Sequence, residues 1–126
     1  FSIQEIKTTG EKIISFKIKN NLLINDPKLS NNLLLINIDT KKNKNIKEKN
    51  IKNEVIKYEI SINVNIECIF IGQDKNINFN QIVSGSYLVG DSYSITITNE
   101  KKLINYLVDD LTDKIIDTIS SKINDS

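Results

Sequence analysis

The sequence predicts an α+β domain of order β-α-β-β-β-α, a mixed, mostly antiparallel four-stranded sheet with two helices packed on one face. Three observations predict it. From Tyr58 to Phe70, apolar residues recur at every second position, with polar residues between them until Ile69, the period of a strand with one buried face. From Ile104 to Ile123 the apolar residues recur at three-and-four spacing, the period of an amphipathic helix. Turn-forming stretches, Gly72 to Asn76 and Gly90-Asp91, separate the segments between them.

Phe1 to Thr8 reads as a short first strand closed by Thr9-Gly10. Glu11 to Ile24 supports two periods. Ile14, Phe16 and Ile18 alternate, while Ile14, Ile18 and Leu22 form a helical row; helix is the preferred reading and strand stays open. Asp26-Pro27 ends that segment. Leu33 to Thr40 is the second strand, and Lys41 to Lys57 is expected as a lysine- and asparagine-rich connection. Tyr58 to Phe70 is the third strand and Ile77 to Val89 its antiparallel return. Gly85 between two serines marks a bulge or a close backbone approach. Tyr93, Ile95 and Ile97 form a further short alternating run. Asn99 is the expected N-cap of the final helix, with Glu100 in its first turn.

At 126 residues the chain is expected to form one domain, 1–126, large enough to build a core without disulfides or a structural metal. Ile, Asn and Lys fill nearly half of it, and arginine, histidine, alanine, methionine and tryptophan are absent. The three favoured residues share A/T-rich codons, so the bias reads as genomic. Absent histidine excludes Ser-His-Asp and Cys-His catalysis and histidine-ligated metal. The single Cys68 can form neither an internal disulfide nor a multi-cysteine zinc site, and the four glycines make no phosphate-binding loop. No enzyme activity, cofactor or metal is expected. A net charge of +1 predicts no general attraction to nucleic acid or membrane, and the longest apolar runs are too short to cross a bilayer. The chain starts at Phe1 without an initiator methionine, which reads as a processed or trimmed product.

Several local patterns in this order resemble the lipopolysaccharide-assembly lipoprotein family, LptE, over almost the whole chain. Phe1-Ser2-Ile3 followed by Gly10-Glu11-Lys12-Ile13 is similar to the family's opening strand, Gly-acidic-basic turn and first helix. Tyr58-Glu59-Ile60-Ser61-Ile62 is similar to its central Tyr-x-Leu-x-Val strand. Ser92-Tyr93-Ser94-Ile95, leading through Glu100 into Leu107 to Ile115, is similar to its closing strand and final helix with an Asp-Leu-x-Asp-x-Ile core. The family's lipidated N-terminal cysteine is absent and would lie upstream of Phe1. The resemblance implies a lipid-anchored protein on the periplasmic face of the outer membrane. It would sit inside, and help assemble, the β-barrel (LptD-like) translocon that exports lipopolysaccharide, contacting lipopolysaccharide itself. The chain would touch the membrane only through the upstream anchor.

Candidate sites follow. Between residues 41 and 57 stand seven lysines and two glutamates, and Lys41, Lys42, Lys44, Lys47 and Lys49 are candidate ligands for an anion such as lipid A phosphate. The competing reading is a solvated loop. No aromatics interleave with these lysines, so nucleic acid is not expected. Asp109, Asp113 and Asp117 recur on the outer side of the final helix and read as a solvated acidic face. Cys68 falls in the apolar row and is expected to be buried and inert. Tyr58, Phe70, Phe79 and Tyr87 are expected in the core and at its margin, and Tyr93 at a partner interface. The polar row Glu59, Ser61, Asn63, Asn65 and Glu67 would suit the wet interior of a large barrel, making Asn63 and Asn65 candidate interface residues. Two other function classes remain open: a free periplasmic or secreted lipid-binding carrier, and an interaction module of another secretion complex. The carrier requires an enclosed apolar cavity of several hundred Å³ on the order of other ligand sites.

Overall fold

The computed structural model describes residues 1–28 and 33–124. Its elements are β1 (Ser2–Gly10), α1 (Lys12–Ile24), β2 (Leu33–Lys49), β3 (Val55–Phe70), β4 (Asn76–Leu88) and α2 (Tyr93–Asn124). The strands lie in the order β1-β2-β3-β4, with β1 parallel to β2 and the other pairs antiparallel. This is the expected α+β architecture, and the segment left open resolves as helix α1.

The alternation in β3 sets the layers. Ile60, Ile62, Val64, Ile66, Cys68 and Phe70 are buried on one face, joined by Leu34, Ile36 and Ile38 of β2. Both helices cover that face: Ile14, Ile18 and Leu22 of α1, and Leu107, Val108, Leu111, Ile115 and Ile119 of α2, complete one core. Helix wins over strand for residues 12–24 because β1 and β2 are already parallel neighbours. A parallel pair needs a crossover, and a helix satisfies the crossover's backbone while covering the sheet.

Gly10 makes the strand-to-helix corner. Its φ is +89°, and a Cβ there would lie 2.1 Å from the Thr40 carbonyl oxygen. The close approach lets Glu11 N donate to that oxygen at 2.9 Å. Glu11 then caps α1, its carboxylate accepting from Ile14 N at 2.6 Å.

Three expectations are corrected. The stretch 41–57 is not a loop: β2 continues to Lys49, pairs through Lys42–Ile62, Lys44–Ile60 and Ile46–Tyr58, and meets β3 across a tight turn. Lys and Asn are weak strand formers, but the Tyr and Ile partners on β3 override the propensity, and lysine stems cover apolar neighbours. Asn50 builds the turn, accepting from Glu54 N through its side chain at 2.9 Å, with Asn53 at φ +65°. Second, Tyr93, Ile95 and Ile97 form no strand; they are the first turns of α2. Third, Asn99 is not the cap. Ser92 caps the helix, its Oγ accepting from Ile95 N at 3.2 Å, while Asn99 Nδ2 donates to Leu88 O at 2.9 Å. Glu100 therefore lies in the second turn.

At Gly85 the register with β3 is unbroken, so there is no bulge. The close approach is real: a Cβ would lie 2.8 Å from Leu103 Cδ1 of α2.

Two substitutions test the corner. Gly10→Ala should destabilise the fold by about 2–3 kcal/mol, combining backbone strain with a clash against main chain. Thr40 Oγ1 is buried without a hydrogen-bond partner among the described residues. Thr40→Val should be neutral or stabilising by up to about 1 kcal/mol. Urea midpoints at unchanged m-value measure both.

Candidate functional site

The helices cover one side of the sheet, so the other side is a surface. Outward-pointing residues of three strands build it rung by rung: Asn37, Glu67 and Asn78 in one register row, and Asp39, Asn65 and Asn80 in the next. Asn37 Nδ2 donates to Glu67 Oε1 at 2.8 Å, and Thr9 Oγ1 to Asp39 Oδ1 at 2.9 Å. Asn80 Nδ2 donates to the side-chain oxygens of both Asn63 and Asn65. These bonds hold the side chains in rows along the pleat, an ordered amide-rich face. A shallow cleft of about 640 Å³ crosses it beside Lys7, Asn37, Asn65 and Glu67. Asn63 and Asn65 thus lie at the centre of the uncovered face.

The lysines are distributed differently from the expectation. Residues 41–49 extend past the end of β1, whose last register partner is Thr40, so this part of β2 pairs only with β3. β4 accompanies β3 as far as the Lys57–Leu88 rung, and only the hairpin tip extends beyond it. Along the hairpin, side chains alternate. Lys42 and Lys44 lie on the helix side and Lys41 on the open side. Lys44 pairs with Glu100 at 3.2 Å, Lys47 with Glu59 at 3.2 Å and Lys57 with Glu48 at 3.6 Å. Lys41, Lys42, Lys49 and Lys52 make no ion pair among the described residues. The five candidate lysines share one hairpin but do not converge on one site. At the tip Ile51 is fully exposed, beside Lys49 and Lys52.

One constellation was not foreseen. Tyr58 and Tyr87 stack with ring centroids 5.7 Å apart, and Lys44 Nζ sits 4.6 Å from the centre of Tyr58. The Tyr87 hydroxyl donates to Glu100 Oε2 at 2.9 Å, the oxygen that also holds Lys44. Burial pushes the Tyr87 hydroxyl up. Hydrogen bonding to Tyr87, and then Glu100, raises Lys44 against an opposing effect of burial. At Glu100 burial acts upward, but hydrogen bonds from Tyr87 and Lys44 outweigh it and hold the carboxyl below its usual range. Every shift strengthens the state each group already has at neutral pH. The cluster is therefore a clamp tying the hairpin to α2, with no group poised to exchange a proton. Its sequence signal was the pair Tyr58 and Tyr87, opposite each other once the β3–β4 register is known; Glu100 was hidden by the misplaced helix start.

The remaining candidates are plain. Cys68 is buried, with its thiol pushed to about 12 by burial and by nearby Glu67. Asp109, Asp113 and Asp117 are exposed; Asp109 accepts from Asn21 Nδ2 at 3.0 Å, and Lys114 pairs with Asp110 at 3.1 Å. Phe70 and Tyr87 are in the core, with Tyr58 and Phe79 at its margin. Tyr93 is 81% exposed at the start of α2. A groove of about 860 Å³ between the helices, edged by Ile13 and Phe16, is open to solvent. Among the described residues no acidic or cysteine cluster could hold a metal ion, and no helix is long and apolar enough to cross a membrane.

Neither a family model nor a curated protein matches the sequence. Solved structures do match the fold. A rare lipoprotein B from Shewanella oneidensis superposes with a TM-score of 0.70 over 97% of this chain and 98% of that one, at 12% identity. A minor lipoprotein from Acinetobacter baumannii gives 0.59, covering 94% of both chains at 14% identity. An uncharacterized lipoprotein B from Nitrosomonas europaea gives 0.54 at 12% identity, over 95% of this chain and 84% of that one.

The clamp predicts an acid dependence. A depressed carboxyl contributes stability that is present above its unfolded pKa and lost as pH falls through its folded value. Glu100→Gln should lower stability by about 1 kcal/mol at neutral pH, and its difference from the parent should shrink as pH drops below the ordinary carboxylate range. Urea melts of both proteins at neutral and acid pH check the sign.

Proposed function

We propose that this chain is the folded part of a non-catalytic, lipid-anchored envelope protein. It would lodge in, and help assemble, the outer-membrane β-barrel that exports lipopolysaccharide. One observation carries the reading: a sheet with one face covered by helices and the other left open, its central rows polar and ordered by side-chain hydrogen bonds. Such a face matches the wet lumen of a large barrel, which is lined by polar residues. The lipoproteins with the same fold, and the resemblance of the local patterns to LptE, support the same assignment. The anchor would lie upstream of Phe1, placing the domain on the periplasmic side of the outer membrane.

The partner surface in this reading is the open face around Asn63 and Asn65, with exposed Tyr93 at the start of α2 as a separate contact on the helix side. The β2–β3 hairpin supplies the contact with lipopolysaccharide, through Lys41 on the open side and Lys49 and Lys52 at the tip. Lysine serves there as a point charge for phosphate. The carrier reading draws no support from the clefts described above, which open to solvent instead of enclosing an apolar volume.

Two measurements test this. From detergent-solubilised outer membranes the tagged protein should co-purify with the barrel subunit of the lipopolysaccharide exporter. Asn63→Arg with Asn65→Arg should abolish that complex while leaving the domain folded. An unchanged complex, or none with the parent, overturns the barrel assignment. Separately, reversing Lys41, Lys49 and Lys52 to glutamate should weaken lipopolysaccharide binding at low salt by roughly tenfold or more, at about 1 kcal/mol per lysine near an anionic surface. Equal affinity removes the hairpin from the site.

A further inference from the structure

The two helices are tied to each other at two points one turn apart. Lys17 Nζ donates to Asn105 Oδ1 and Asn21 Nδ2 to Asp109 Oδ1, each at 3.0 Å. On the N-terminal side of the first tie, a cleft of about 460 Å³ opens between α1, α2 and β2. That size lies within the range of small-molecule sites. Its place follows from the Gly10 corner. α1 begins at Lys12, just after Gly10 meets Thr40, so Lys42, on the helix side of β2, lies beyond the start of α1. α2 extends over that stretch, where its Glu100 meets Lys44. The step between the two helix starts is the cleft.

Its lining separates into two kinds of surface. Ile13, Ile14, Ile97 and Ile104 supply the apolar part. Ile14 is buried, Ile97 and Ile104 are half-buried, and Ile13 is 66% exposed. Lys17, Lys42 and Lys101 supply the cations, and Lys42 and Lys101 make no ion pair among the described residues. Both carboxylates in the lining are committed within the fold. Glu11 caps α1, and Glu100 holds Lys44 and the Tyr87 hydroxyl. With Lys44 counted, four lysines stand against two carboxylates, an excess of two positive charges. The remaining polar side chain, Asn105, is engaged by Lys17.

We propose that this cleft binds a single long-chain carboxylate, a fatty acid, with its chain along the four isoleucines and its head at Lys42 and Lys101. Two complementarities select this occupant. Apolar surface beside unpaired ammonium groups matches a chain that ends in an anion, and lysine offers a point charge suited to one carboxylate. A peptide fits worse, because its backbone would lie against isoleucines and side chains already engaged, leaving amides unsatisfied. The volume takes one chain, not the several of a lipopolysaccharide molecule. The cleft opens to solvent at its lysines, so the fatty acid is held at the surface and not enclosed as cargo. The site is separate from Lys41, Lys49 and Lys52 of the hairpin, and it does not depend on the translocon assignment.

Titration of the isotope-labelled 126-residue chain with fatty acids below their micelle concentrations, followed by NMR, tests it. Dodecanoate should saturate one site and shift the amides of Ile13, Ile14, Ile97 and Ile104. Affinity should fall roughly fourfold for each methylene removed on the way to octanoate, the factor for losing one buried methylene. Lys42→Gln with Lys101→Gln should weaken dodecanoate binding roughly tenfold or more. Lys49→Gln with Lys52→Gln, at the hairpin tip, should leave it unchanged. No saturable site for dodecanoate overturns the proposal. So does equal affinity for dodecyltrimethylammonium, since the lysines then take no part, or for octanoate, since the chain is then not seated. Binding that the hairpin-tip variant loses and the Lys42/Lys101 variant keeps places the anion on the hairpin instead. Binding to phosphatidylglycerol vesicles without binding to free dodecanoate assigns the lysines to a membrane surface and equally sinks the fatty-acid site.

Discussion

The antiparallel ladder between β2 and β3 is the constraint on which the rest depends. It joins 17 residues of one strand to 16 of the other and sends every second side chain of both to the same face. Because the period is two, slipping the register by one residue would expose the whole Ile60 to Phe70 row. Each fully buried Ile in that row contributes about 1.5–3 kcal/mol, so the pattern enforces one register strongly. Once it is set, β1 and β4 have only the two edges to join, and both helices must cover the apolar side.

The helices are then located by small features. Gly10 turns the chain from β1 into α1 where a side chain would strike the Thr40 carbonyl, and Gly85 lets Leu103 of α2 approach β4. One turn earlier in α2 the Lys44, Tyr58, Tyr87 and Glu100 clamp binds the helix to the β2–β3 hairpin. Together these fix a covered face and an open face. The functional surfaces are what the covering leaves: an amide-ordered sheet face, a cationic hairpin and a lysine-rimmed cleft between the helices.

Compositional bias explains why some of this was hidden. In a chain so rich in lysine and asparagine, these residues lose their usual meaning as loop markers. Residues 41–49 look like a solvated connection, yet they form strand because Tyr58, Ile60 and Ile62 lie opposite. The same bias made the lysines resemble one cationic patch. Pleating splits them instead, with Lys41 on one side and Lys42 and Lys44 on the other, and three of the seven are held by glutamates. Asn63 and Asn65 were legible as outward residues from alternation alone. Their hydrogen bonds to Asn80 were not, because those need the β3–β4 register.

The sequence by itself determined the buried row of β3, its antiparallel return in β4, the apolar stripe of α2 and the buried setting of Cys68. These are local periodicities, and a period can be counted without knowing any partner. Tertiary structure decided the helix over residues 12–24, the true start of α2 at Tyr93, the length of the hairpin and the Lys44–Glu100 clamp. Each of these depends on a residue far away in the chain. The corner at Gly10 needs Thr40, β2 beyond Thr40 needs β3, and Glu100 finds Lys44 across 56 positions. Local propensities of a few tenths of a kcal/mol per residue yield to pairing and burial worth several times more, so such choices stay open until the partners are in place.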